Sequence, residues 1–128
     1  MFKKYALTLA VIILFTSSAF ADEITGFCNQ VVDANTLIVS SNGNTYKIIL
    51  AYIDAPELGQ KFGAEAKQFV EGLALNQKLK IFPVTTKGKV ITAEAFSPKK
   101  QDPINRELVR SGLAWPIIEK DKKHPYDL

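Results

Sequence analysis

Asp54 and Glu57 flank Ala55-Pro56 directly after the apolar run Tyr46–Ile53, so the sequence delivers two carboxylates to the end of a buried strand. Pro56 fixes its own φ and keeps Ala55 extended, which makes the turn stiffer than an average loop and suits it to presenting hard oxygen ligands. The same four residues also read as a strand followed by an acidic helix-capping turn. Upstream, Val32-Asp33-Ala34-Asn35-Thr36-Leu37 offers further side-chain oxygens. Downstream, Ile104-Asn105-Arg106-Glu107-Leu108-Val109-Arg110-Ser111-Gly112-Leu113-Ala114 is a helical pattern.

The elements that must position these residues are mostly strands. Val31 and Val32 lead into the Asp33–Thr36 turn, Leu37–Val39 follow as a second strand, and Asn42-Gly43 is a hairpin signal before the strand Tyr46–Ile53. Leu58–Gly63 reads as a short loop into a helix over Gly63–Leu75, where Ala66, Phe69, Val70 and Leu73 recur at helical spacing. Lys78–Val84 alternates apolar and lysine residues, and Val90–Phe96 supplies a fifth strand across Lys87-Gly88-Lys89. Asp102-Pro103 reads as an N-cap and first helical residue for a second helix over Pro103–Ser111, which buries Ile104, Leu108 and Val109 and ends at Gly112. Five strands interrupted by one helix predict an all-β-dominated α+β domain, a five-stranded Greek-key barrel of the OB-fold type with two helices.

The start of the chain belongs to a different category. Lys3 and Lys4, the apolar run Tyr5–Phe15 and Ala19-Phe20-Ala21 read as a cleaved secretory signal peptide over residues 1–21, leaving a single domain over residues 22–128. The apolar run falls short of the roughly 20 residues of a membrane span, so no stable membrane insertion is expected after cleavage. Export to the periplasm or the medium follows. Without Lys3 and Lys4, 14 basic residues face 13 acidic ones, and a balance of +1 gives no strong electrostatic footprint for nucleic acid. Lys120-Asp121-Lys122-Lys123 reads as a solvated end. Cys28, the lone cysteine, has no internal partner and reads as a buried small hydrophobe, with an intermolecular link as the alternative.

Taken in order, the Asp-Ala-Asn-Thr turn, the strand ending in Ile-Asp-Ala-Pro-Glu, Gly63-Ala64-Glu65-Ala66 and the helix Asn-x-x-Leu-Val-x-x-Gly-Leu-Ala resemble the staphylococcal nuclease (thermonuclease) family over about residues 25–118. That family carries an Asp-Gly-Asp-Thr turn, a Tyr-Gly-Arg motif, a calcium ion held by two Asp side chains, a Glu that activates or orients the attacking water, and two Arg on the scissile phosphate. The resemblance places Asp54 on one calcium ligand and Glu57 on the water-activating position. Asn35 falls on the second ligand Asp, with Thr36 kept beside it. One Arg position is Ile49; the other is Lys89 in Lys87-Gly88-Lys89, a point charge in place of a bidentate fork.

The resemblance therefore implies a weak calcium site at Asp54, Asn35 and Thr36, with Glu57 and Lys89 at catalytic positions. Losing one preorganised donor to a developing oxyanion costs roughly 2.7–4 kcal/mol, about 10²–10³ in rate. With Ile49 unable to donate, the expected function is that of an exported module of this fold, non-catalytic or nearly so, that binds an unidentified partner, a protein or envelope component ahead of nucleic acid. The alternative is a weak calcium-dependent endonuclease hydrolysing DNA or RNA.

Overall fold

The computed structural model describes residues 22–120 and 122–126; the signal-peptide reading of residues 1–21 lies outside them. The order is β1 (Ile24–Asp33), β2 (Thr36–Ser41), β3 (Asn44–Leu50), β4 (Ile53–Asp54), α1 (Gly63–Ala74), β5 (Lys78–Lys87), β6 (Val90–Phe96), α2 (Ile104–Arg110) and β7 (Trp115–Pro116). Five strands close into a barrel in the order β1-β2-β3-β6-β5, with β4 and β7 as a separate two-stranded ribbon. Neighbouring barrel strands run antiparallel except β3 and β6, which pair in parallel from Lys47 opposite Val90 to Leu50 opposite Ala93. This is the expected barrel.

Local sequence explains how it closes. In β1 the inward positions are Gly26 and Cys28 and then Val31, a change of phase. Cys28 pairs with Val39 and Gln30 with Ile38, so Asn29 is an extra residue that bends the strand. A Cβ at Gly26 would collide with Val39, so only glycine lets β2 lie so close. Asn42 and Gly43 both have positive φ, 50° and 78°, as a two-residue hairpin with the twist of its strands requires.

Leu37, Val39, Ile48, Leu79, Ile81 and Ile91 fill the barrel, and α1 covers it with Ala66, Val70, Leu73 and Ala74. Burying each large aliphatic side chain is worth about 1.5–3 kcal/mol, against about 0–1 for a surface ion pair, so this interior dominates stability. Cys28 is fully buried, in agreement with the small-hydrophobe reading, and burial pushes its thiol pKa up.

Two expectations change. The strand read as Tyr46–Ile53 stops at Leu50: Tyr52 takes a left-handed φ of 67°, and Ile53–Asp54 leaves the barrel to pair with Trp115-Pro116. Asp102 is not the cap of α2; Pro103 holds that position without a side-chain bond, while Asp102 accepts from Arg106 at 3.3 Å and Arg110 at 2.8 Å. The solvated-end reading agrees with the exposure of Lys120, and the chain turns inward only after Lys123. Lys122 and Lys123 are exposed, but Tyr126 is buried and its hydroxyl donates to Glu94 Oε2 at 2.6 Å.

Candidate functional site

The first group of site residues gathers where β3 leaves the barrel. The Asn35 N–H donates to Asp33 Oδ1 at 2.8 Å, a local turn bond that Asp33 is suited to make. Its carbonyl accepts the Leu50 N–H at 2.9 Å, which ties the β1–β2 turn to the end of β3. Thr36 opens β2 directly opposite Ile49. Asn35 Oδ1 is buried and has no hydrogen-bond partner, a rare condition for a buried acceptor.

Asp54 and Glu57 follow on the bend. Both are exposed, and among the described residues neither carboxylate has an ion-pair or side-chain hydrogen-bond partner. Asp54 is held by pairing opposite Trp115. Glu57 is held through its backbone: its N–H donates to Gln60 Oε1 at 2.8 Å and its carbonyl accepts the Gln60 N–H at 3.0 Å. That carbonyl also packs on Gly63, where a Cβ would collide with it. The helix-capping reading of the two acids fails, since α1 begins after Phe62 in a left-handed conformation with no side-chain cap.

Ile49 is half-buried on the outward face of β3, between Thr36 of β2 and Thr92 of β6. Lys47 shares that face two residues along, and its N–H donates to the Lys89 carbonyl at 2.9 Å. The Lys89 backbone therefore sits beside Lys47, midway along β3. From Lys47 to Leu50 is about 10 Å of strand. Asn35 and Thr36 are thus tied to Leu50 and Ile49 at the end of β3, Asp54 and Glu57 follow beyond the Tyr52 bend, and Lys89 stands beside the middle of the strand.

Among the described residues no three His, Cys, Asp or Glu side chains gather as a metal-binding group. The oxygens here are of another kind: one carboxylate from Asp54, an unsatisfied amide oxygen from Asn35 and the Thr36 hydroxyl. Such donors fit a hard divalent cation in type, with a single formal charge to hold it.

One positioning residue was quoted in the helix motif but given no role. Asn105 is fully buried in α2; its Nδ2 donates to the carbonyls of Ala51 at 2.9 Å and Ala93 at 3.1 Å, and its Oδ1 accepts the Ala95 N–H at 3.1 Å. It locks α2 to β6 and to the residue before the Tyr52 bend. Its signal was a polar residue between buried Ile104 and Leu108. From the other side, the Tyr52 carbonyl accepts the Ile117 N–H at 2.9 Å and lies 2.8 Å from His124 Nε2.

The profile of the family described as Staphylococcal nuclease homologue matches residues 47–127. A protein named Micrococcal nuclease from Shigella flexneri is 33% identical over 118 residues, covering 86% of this chain and 67% of that one. An uncharacterized endonuclease of Haemophilus influenzae is 30% identical over 121 residues, covering 90% and 66%. Protein ParB of Escherichia coli is 28% identical over 120 residues, covering 88% and 67%. The chain thus spans about two thirds of the length of each relative.

Proposed function

The chain belongs to the staphylococcal nuclease family, and from that premise we propose that it is a nuclease-fold module of low catalytic power that engages nucleic acid at the β3 rim. The observation that carries this reading is Ile49, an apolar side chain between Thr36 and Thr92 where the family resemblance calls for a phosphate-gripping arginine. Lys47 and Lys89 remain as exposed cations near it, able to attract a phosphodiester as point charges. Nucleic acid is the ligand class that the relatives' names support, ahead of the protein or envelope component. The charged start, apolar run and Ala19-Phe20-Ala21 support export with cleavage after Ala21.

The second reading, a weak calcium-dependent endonuclease, is favoured by the two free carboxylates and the unsatisfied Asn35 oxygen. Asp54, Asn35 and Thr36 would hold the ion, whose charge, when bound, offsets negative charge developing on the phosphate. Glu57 can accept a proton from a water at the rim, with its backbone fixed by Gln60. What the rim lacks is a rigid cationic donor.

The test is cleavage of single- and double-stranded DNA and RNA with calcium by the chain starting at Asp22. The wild type should act barely above background. Asn35→Asp, Ile49→Arg and Lys89→Arg together should raise cleavage far more than any one alone, because they act on one phosphate unit. Robust calcium-dependent cleavage by the wild type, abolished by Glu57→Gln, would overturn the low-activity reading.

A further inference from the structure

A cleft lies on the outer wall of the barrel, across β5 and β6, and shares no lining residue with the carboxylate rim. Its volume is about 420 Å³, and Lys78, Lys80, Phe82, Phe96, Pro98 and Lys100 line it together with Ser97. Strand alternation makes this face. Leu79 and Ile81 point into the core, which turns Lys78, Lys80 and Phe82 outward together.

The residue types on neighbouring strands interleave. Phe27 of β1 stands opposite Lys78, and Phe96 of β6 stands opposite Lys80, so each lysine faces an aromatic ring across the sheet. Phe82 and Phe96 meet edge to face with centroids 5.3 Å apart, and Phe82 is 39% exposed. The wall beyond β6 is fastened down: Ser97 Oγ donates to the Leu73 carbonyl at 2.5 Å, and Lys99 Nζ donates to the Gly72 carbonyl at 2.8 Å. Lys99 is thereby occupied, whereas Lys78, Lys80 and Lys100 have no ion-pair partner among the described residues.

No carboxylate lines the cleft. The nearest in register, Glu94 opposite Phe82, accepts the Tyr126 hydroxyl. The cleft thus combines a recessed aromatic floor with three free ammonium groups, which suits a flat, anionic, repeating ligand. Aromatic rings that take bases and lysines that follow the phosphates are the two components of single-strand binding.

We propose that this cleft is a binding site for single-stranded nucleic acid, distinct from the β3 rim, in which bases stack on Phe82 and Phe96 while Lys78, Lys80 and Lys100 contact phosphates. A lipid surface fits less well, because membrane anchoring calls for protruding apolar side chains and these rings form a floor between lysines. The site stands whether or not the rim hydrolyses anything.

Fluorescence anisotropy of a labelled oligothymidylate, without calcium and over a salt series, tests it on the chain starting at Asp22. The wild type should bind, Phe82→Ala should weaken binding on the order of tenfold, and Lys80→Gln should lower the salt slope by roughly 0.7 per lost phosphate contact. Lys123→Gln, at an exposed lysine outside the cleft, should leave the affinity unchanged, and Lys47→Gln and Lys89→Gln are the rim variants against which the cleft variants are compared. Lys80→Gln and Lys100→Gln change only exposed side chains, so the proposal stays testable if Phe82→Ala unfolds. Absence of wild-type binding, loss of binding in the rim variants but not the cleft variants, or binding only to anionic phosphatidylglycerol vesicles would each overturn the proposal.

Discussion

At the scale of single residues, two asparagines carry opposite burdens. Asn105 satisfies three backbone groups from inside α2 with all its bonds between 2.9 and 3.1 Å. Replacing it with Ala strands two carbonyls and an N–H, each costing about 1–3 kcal/mol if left unpaired. We expect Asn105→Ala to lower the urea-unfolding free energy by about 3 kcal/mol, and a loss below 1 kcal/mol would mean that water replaces the amide. Asn35 has the reverse condition, an acceptor with no donor. Titration calorimetry of the wild type should show weak or no calcium binding, and Asn35→Asp should tighten it by adding a charge. An unchanged affinity would show that Asn35, Thr36 and Asp54 do not form one ion site.

At the scale of elements, α2 gathers charge outside its apolar contact. Arg110 donates to Asp102 at 2.8 Å and to Glu107 at 2.6 Å, and Arg106 adds a longer contact to Asp102. The hydrogen bond from Arg110, aided by the charge of Arg106, holds the Asp102 carboxyl below the usual carboxylate range. A depressed folded pKa contributes stability that is present above the unfolded value, about 3.9, and is lost as pH falls through the folded one. Asp102→Asn should therefore flatten the acid limb of the thermal stability profile below about pH 4, an effect that high salt should reduce in the wild type. An identical acid limb in variant and wild type would remove Asp102 from the account. The acid loop before α1 has a different constraint, since Gly63 packs on the Glu57 carbonyl. Gly63→Ala should cost about 1–3 kcal/mol by overpacking, read from urea unfolding.

The same elements show what the sequence could and could not reveal. Helix limits and barrel strands were legible because their apolar periods persist over several residues, and Asn42-Gly43 announces its own turn. The break at Tyr52 was not, because a left-handed tyrosine has no local signature and its cause is distant: Asn105 fastens Ala51 while Ile117 and His124 fasten the Tyr52 carbonyl. Asp54 and Glu57 were visible as a stiff acidic turn. The Phe82–Phe96 cleft was not, since outward residues of β5 and β6 acquire meaning only through cross-strand register.

At the scale of the whole molecule, the C-terminal segment closes the structure by returning Tyr126 to the barrel. Its ring lies edge-on to Tyr52 at 6.0 Å and to His124 at 5.3 Å, its N–H donates to His124 Nδ1 at 3.0 Å, and its hydroxyl reaches Glu94 on β6. The bend that presents Asp54 is thus braced by a residue far along the chain. Burial, reinforced by the Glu94 carboxylate, pushes the Tyr126 pKa well above the tyrosine range. A raised folded pKa contributes stability that is complete below the unfolded value, about 10, and is lost as pH rises beyond it, because only the unfolded chain releases that proton. The wild type should accordingly lose melting temperature between about pH 9 and 11 in excess of a Tyr126→Phe variant, whose ring keeps the aromatic contacts but has no proton to release. Tyr126→Ala should instead be destabilised at every pH by about 3–5 kcal/mol, the cost of deleting a buried aromatic side chain. If the alkaline limbs of wild type and Tyr126→Phe coincide, the hydroxyl is not held in the folded barrel, and the C-terminal return braces the bend through ring packing alone.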